Sequence, residues 1–178
     1  MKLVGVSGAL IGNKTAAAVK KVLLSAQAAD PSIEIELIDL KDFDMEFVIG
    51  KPLPSYNQDT QTVVSKIIEA DSLIFGTPVY QASISGALKN LLDHLPTTAL
   101  RSKVVGMVTT AGSKNHLLVT EYQFKPILSF FRAYVAANSV FLQSECFNQK
   151  NEIIDHDVLI RIEALAEEII LLNKKLSS

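Results

Sequence analysis

Three short polar stretches carry the residue types that can hold a ligand. The first, Ser7-Gly8-Ala9-Leu10-Ile11-Gly12-Asn13-Lys14-Thr15, follows an apolar run and opens a segment of helical periodicity. Helix-start N–H groups and the helix dipole favour a phosphate there, with Asn13, Lys14 and Thr15 to add hydrogen bonds and charge. It is neither a Walker A loop nor Gly-x-Gly-x-x-Gly, and an ordinary polar turn is the competing reading. The second, Thr77-Pro78-Val79-Tyr80-Gln81, lies beyond an apolar run. Pro78 fixes its own φ and biases Thr77 toward an extended backbone, leaving N–H groups of Thr77, Val79, Tyr80 and Gln81 on a stiff platform beside an aromatic. Such an edge suits a flat heterocycle such as a flavin, and so redox chemistry. A proline turn with Tyr80 packed over the sheet edge is the plainer alternative. The third, Thr109-Thr110-Ala111-Gly112-Ser113-Lys114-Asn115-His116, offers a nest of N–H groups around Gly112 for a carbonyl edge or an anion. His116 is either a ligand contact or, more simply, a helix-start residue with a local hydrogen bond.

What is missing matters as much. Cys146 is the single cysteine, which removes disulfides and cysteine-held iron–sulfur or zinc sites within the chain. His94 and His156 have no metal-spaced partners. His94 reads as a helix C-cap, and His156 with Asp155 and Asp157 as a surface cap. There is no Ser-His-Asp constellation or nucleophile elbow. No catalytic residue or metal site is therefore assigned. A cofactor must carry the reactivity, and the protein must position it.

The elements that would position these stretches alternate along 178 residues, the size of one domain spanning 1–178. Strands are expected at Leu3–Val6, Ile33–Leu40, Ser72–Phe75, Lys103–Val108 and Tyr134–Leu142. Helices are expected at Thr15–Ala28, Asp59–Glu69 (capped by Asp59 or Thr60), Ser85–Leu95, Leu117–Arg132 (kinked or broken by Pro126) and Asp155–Leu176. In the last helix Ile160, Leu165, Ile169 and Leu172 are read as apolar positions, and Glu167 and Glu168 as the wet side. The alternation predicts an α/β domain with a mainly parallel five-stranded sheet, for which the common doubly wound order is 2-1-3-4-5. In that order the chain reverses between the first and third strands, and the first and second polar stretches flank the reversal. A net charge of −2 argues against nucleic-acid or anionic-membrane binding, and no apolar run approaches a bilayer span. The expected location is the cytoplasm.

The motifs, taken together, resemble the NADPH-dependent FMN reductases of flavodoxin-like fold, and most the reductases that supply reduced flavin to two-component alkanesulfonate monooxygenases. The resemblance rests on Thr77-Pro78-Val79-Tyr80, on Ser85-Gly86-Ala87-Leu88-Lys89-Asn90-Leu91-Leu92-Asp93, and on Gly112-Ser113 with His116-Leu117-Leu118. Tyr122 and Lys125-Pro126-Ile127-Leu128 extend it. It covers roughly residues 1–140. It implies a flavodoxin-like three-layer sandwich, and FMN with its phosphate on Ser7–Thr15 (Ser7, Leu10, Asn13, Lys14, Thr15). The isoalloxazine would lie against Pro78, Val79, Tyr80 and Gln81 and against Thr110, Ala111, Gly112 and Ser113, with His116 nearby. It also implies NADPH or NADH as hydride donor, a flavin-dependent monooxygenase as partner, and a homodimer or homotetramer. The interface would use the Leu117–Phe131 helix with its aromatic surface (Tyr122, Phe124, Phe130, Phe131) and a π-type bulge near Tyr122.

Two departures stand out. The family's Gly-Ser-x-Arg is here Gly8-Ala9-Leu10-Ile11, and losing a charged phosphate contact costs about 1.5–3 kcal/mol. Asn13, Lys14 and Thr15 are the candidates to compensate. The third stretch has Ala111 where glycine is commoner, which removes a position free to adopt φ > 0. Alternative functions are an FMN-bound quinone or azo reductase, or a flavodoxin-type electron carrier or scaffold without catalysis. A phosphoacceptor domain lacks its acidic cluster, since only Asp39 is well placed.

Overall fold

The computed structural model describes residues 1–177. The chain runs β1 (Lys2–Ser7), α1 (Lys14–Ala29), β2 (Glu34–Asp39), α2 (Gln58–Glu69), β3 (Ser72–Tyr80), β4 (Ser83–Ile84), α3 (Gly86–His94), β5 (Val104–Ala111), α4 (Lys125–Phe130), β6 (Tyr134–Gln143) and α5 (His156–Leu176). Five strands pair in parallel in the order β2-β1-β3-β5-β6, and the short β4 pairs antiparallel with β3. The expected order holds, with one hairpin strand added. Side chains alternate across the sheet. Val4, Val6, Leu73, Phe75 and Met107 pack beneath α2, α3 and α4, while Leu3, Ile74, Val104 and Val108 pack beneath α1 and α5. No described helix is long and apolar enough to cross a membrane.

The main correction to the expected elements is that β3 and β5 are longer. Thr77–Tyr80 and Thr109–Ala111 are strand, not loop. The β1–β3 ladder ends at Ser7 and Gly76, whereas the β3–β5 ladder continues to Pro78 and Thr110. Pro78 is tolerated because on the β1 side β3 has already become an edge there, where a missing N–H breaks no ladder. Thr77 sits in the ladder with Thr109, and Val79 and Tyr80 pair with Ile84 and Ser83. Of the four N–H groups expected to be free, only that of Gln81 lies outside a ladder. The link from β3 to β4 is a two-residue hairpin turn in which Gln81 (φ 44°) and Ala82 (φ 60°) are both left-handed. This backbone matches strand twist but normally selects Asn or Gly.

Smaller corrections follow the polar partners. Asn57 caps α2 by accepting from Thr60 N–H (2.9 Å). Asp59 and Thr60, expected as caps, accept instead from the backbone N–H groups of Asp44 and Glu46 and pin the irregular segment before the helix. His94 pairs through Nε2 with the Glu46 carbonyl (2.8 Å) and stacks edge-on to Tyr56, rather than capping its own helix. Asp155 caps α5, as expected. On α5 the buried face is Val158, Ile162, Leu165, Ala166 and Ile169. Ile160 lies off that stripe and is exposed. Glu168 is not simply a solvated side chain. Its two oxygens accept from Ala137 and Asn138 N–H, at 2.7 and 2.8 Å. These lie at an irregularity where the pairing moves from Val105↔Val135 to Met107↔Ser139, four steps along β6 against two along β5.

The helix expected over Leu117–Arg132 is continuous over 119–130, with a π-helical turn at Thr120–Phe124 that passes directly into α4 and includes Tyr122, where the π-type bulge is expected; a 3-10 turn spans Lys114–His116 before it. Pro126 follows the bulge and does not break the helix. Phe124 and Phe131 are buried in the core, so only Tyr122 and Phe130 of the four aromatics face solvent.

Two outcomes follow. A Cβ on Gly76 would lie 2.3 Å from Val19 Cγ2. Gly76→Ala is expected to force α1 off the sheet and to lower unfolding free energy by about 1–3 kcal/mol in urea titration. Ala82→Gly removes a side chain from a left-handed position and should raise stability by about 0.5–1 kcal/mol in the same measurement.

Candidate functional site

At the C-terminal edge of the sheet, β3 and β5 project past the end of β1 and leave a cleft of about 270 Å³. This is the crevice that strand-order reversal creates in open α/β sheets. One wall is the start of α1 (Gly12, Asn13, Lys14, Thr15), the next is Pro78, Val79 and Tyr80, and the floor is Thr110, Ala111 and Gly112.

The walls are held by buried hydrogen bonds. The first loop leaves β1 with Gly8 N–H donating to the Gly76 carbonyl (2.8 Å). Ser85 donates its hydroxyl to the Gly8 carbonyl (2.7 Å) and accepts from Leu88 N–H (3.1 Å), which makes it the cap of α3. Ser85 N–H donates to Thr77 Oγ1 (2.9 Å). A side chain at Gly8 has no room, because its Cβ would fall 2.7 Å from Leu88 Cβ. Across the cleft Thr15 and Thr110 share a hydroxyl hydrogen bond of 2.7 Å that fastens α1 to β5. Thr109 does the same with Thr120 of the π-helical turn (2.7 Å).

The start of α1 is uncapped. Asn13 stands at the cap position, but its side chain makes no cap hydrogen bond, since its Oδ1 accepts from Lys41 Nζ at 2.6 Å. The first helical bond is Ala17 N–H to the Asn13 carbonyl. The N–H groups of Lys14, Thr15 and Ala16 thus have neither an intrahelical acceptor nor a capping side chain among the described residues, and the first turn carries no acid. Beneath this turn Ser7 is fully buried, and its Oγ has no partner among the described residues. Lys14 is the one ionised side chain among the described residues lining the cleft, which includes no carboxylate, histidine or cysteine. It reaches across to the Ser144 carbonyl (3.4 Å) and lies over the Phe147 ring.

These features fit a phosphorylated flat ligand. Uncapped N–H groups and a dipole suit a phosphate, and Pro78, Val79 and a Tyr80 that is 48% exposed give an apolar edge. Asn13, Lys14, Thr15, Pro78, Val79, Tyr80, Thr110, Ala111 and Gly112 are brought together here. Ser7, Leu10, Gln81, Ser113 and His116 do not line the cleft, Ser7 being fully buried behind the wall. Leu10 points to a separate groove beside Phe43, Met45 and Phe47, and Gln81 sits in the hairpin turn. Ser113 accepts from Asn115 N–H and shapes the 3-10 turn that contains His116. The nest expected at Gly112 does not form, since neither Ala111 nor Gly112 has a positive φ. Ala111 is extended and paired with Gln143, a conformation alanine adopts freely, which explains the missing glycine.

Sequence reasoning missed the far wall, formed by Leu142, Gln143 and Ser144 with Phe147 and Asn151. The signal available was positional. The end of the fifth parallel strand must open on the same sheet edge as the others.

The comparisons agree with this geometry. A family model described as NADPH-dependent FMN reductase matches residues 1–147. The chain is 47% identical over 178 residues to the NAD(P)H-dependent FAD/FMN reductase of Geobacillus thermodenitrificans, covering 100% of this chain and 96% of that protein. It is 25% identical over 170 residues to the NADH-dependent FMN reductase SfnF of Pseudomonas putida, covering 95% and 91%. Among solved structures, the apo form of the NADH:FMN oxidoreductase EMOB matches with a TM-score of 0.80 at 28% identity, covering 99% of this chain and 90% of that one. Fold, site and sequence thus converge, and the chain belongs to the family of NADPH-dependent FMN reductases, oxidoreductases that work with FMN and a nicotinamide nucleotide.

Proposed function

We propose that the protein takes a hydride from NADPH or NADH and delivers it to FMN held in the cleft between α1, β3 and β5. The observation that carries this reading is the uncapped first turn of α1 set beside the strand edge Pro78–Tyr80. When bound, FMN supplies the redox chemistry, accepting hydride at its ring. The protein's part is to bind and orient. The α1 N–H groups and Thr15 hold the phosphate, with Ser7 beneath them, while Lys14 reaches the facing wall. Pro78, Val79 and Tyr80 form the edge for the ring, and Thr110, Ala111 and Gly112 form the floor. Gln81, Ser113 and His116 belong to the rim in this reading, while Leu10 takes no part.

Tyr80 and Gly112 are exposed, which leaves the ring's place open to solvent. That openness supports a flavin that exchanges and carries its electrons away to a flavin-dependent monooxygenase, over one trapped for quinone or azo-dye reduction. The family is named for NADPH, and relatives are named for NADH and for NAD(P)H, so the donor is either nucleotide. Assembly would use the exposed apolar side chains Leu117, Leu118, Tyr122, Phe130 and Tyr134, which form a surface of the kind that subunits bury.

Titration with FMN, followed by flavin fluorescence, tests the reading together with NADPH and NADH oxidation with and without FMN. Micromolar binding and flavin-dependent oxidation support it. Absence of binding at tens of micromolar overturns it. Tyr80→Ala should weaken FMN about three- to tenfold while barely moving the thermal midpoint, because the ring is half-exposed. Phe130→Asp should shift the mass measured by light scattering toward the monomer without loss of helical circular dichroism. An unchanged mass would place the interface elsewhere.

A further inference from the structure

We propose that Lys41, which follows β2 rather than belonging to the first loop, is the cation that recognises a phosphate monoester at the start of α1, with Asp39 as its positioning residue. The inference rests on the flavin-reductase reading of the cleft. Lys14, the other candidate, is turned across the cleft onto the Ser144 carbonyl and the Phe147 ring. Lys41 is turned toward α1. Its ammonium donates to Asn13 Oδ1 at the helix cap position (2.6 Å) and lies 3.0 Å from Asp39 Oδ2. An ammonium has three donors. Two are used here, which leaves one for a phosphate oxygen.

The residues beneath point to the same place. Ser7 and Asp39 face each other in the β1–β2 ladder. Two residues before Ser7, a Cβ on Gly5 would strike Val19 and Leu23 of α1, so Ser7 lies on the α1 side of the sheet. Ser7 is fully buried and Asp39 is 8% exposed, and Ser7 Oγ and Asp39 Oδ1 have no hydrogen-bond partner among the described residues. Asp39 holds the ammonium from below with one oxygen, and the ammonium is the outer member of the pair, with its side chain about a third exposed. A phosphate on the uncapped turn meets Lys41 first. Lys41 would then exchange Asn13 Oδ1 for a phosphate oxygen and free Asn13 to cap α1. This supplies from β2 the charge that Gly8-Ala9-Leu10-Ile11 lacks. The phosphate monoester is either the 5′-phosphate of FMN or the 2′-phosphate of NADPH.

The test uses the purified protein with Lys41→Met and Lys41→Arg. FMN and riboflavin, which lacks the phosphate, are titrated by flavin fluorescence, and KM is measured for NADPH and for NADH. Lys41→Met should weaken FMN about ten- to a hundredfold and leave riboflavin unchanged, with Lys41→Arg restoring most of the loss. A rise in KM for NADPH alone, with FMN affinity intact, supports the proposal with the dinucleotide's phosphate as the source. Unchanged values for both ligands overturn it, as does an equal loss for FMN and riboflavin, which would make Lys41 a structural residue only. A wild-type protein that binds riboflavin as well as FMN, with no rise in KM for NADPH in Lys41→Met, also overturns it. One that binds neither flavin overturns the cleft reading itself.

Discussion

The structure depends on a buried chain of hydrogen bonds around Ser85. Its hydroxyl caps α3 and holds the first loop through Gly8, while its N–H holds the end of β3 through Thr77. The three segments come from two βα units, the first (Gly8) and the third (Thr77 and Ser85), and the sheet alone does not fix their spacing, because β1 has already ended. Each member is buried, so leaving any one unpaired carries the desolvation cost of a polar group, about 1–3 kcal/mol. Gly8 and Gly76 complete the arrangement by having no side chains where the backbones approach one another.

On this frame the cleft separates a rigid backbone from charged side chains. The Thr15–Thr110 bond and the long β3 and β5 strands fix the ligand-facing backbone before any ligand arrives. Pre-organisation of that kind lowers the ordering cost of binding. The charged side chains stand apart from that frame: Lys14 reaches the Ser144 carbonyl, and Lys41 donates to Asn13 Oδ1 while paired with the Asp39 carboxylate. The left-handed Gln81–Ala82 turn stores strain at the tip that carries Tyr80, where backbone strain often accompanies a functional edge.

Much of the architecture was legible because strand and helix periods alternate cleanly and the apolar runs are long. The alternation behind the sheet order and the cap of the last helix at Asp155 follow from local pattern. The lengths of β3 and β5 do not. Thr77-Pro78-Val79-Tyr80 and Thr109-Thr110 read as loop because Thr and Pro punctuate them, yet each strand continues wherever a neighbour still offers a ladder, and that is a tertiary fact. The cap of α2 was missed for a similar reason. Asp59 and Thr60 are both competent caps, but the segment around Asp44 and Glu46 recruits them. The far wall of the cleft went unseen because nothing in Leu142–Asn151 looks like a binding motif. It contributes by position, not by residue type.

The irregular stretch of β6 has a consequence for how this molecule behaves in a crowded solution. An outer strand presents a row of unpaired amides, the usual template on which sheets extend from one chain to the next. Here the strand carries extra residues at Ala136–Asn138, and Glu168 reaches from α5 to occupy two consecutive N–H groups. At the opposite edge, β2 presents Glu34 and Glu36, with Lys2 and Lys66 around Glu36. A second copy seeking to continue the sheet would have to displace a carboxylate at one border or bury charge at the other. Edge-to-edge growth, the first step toward fibrous aggregates, is thereby opposed at both borders of the sheet.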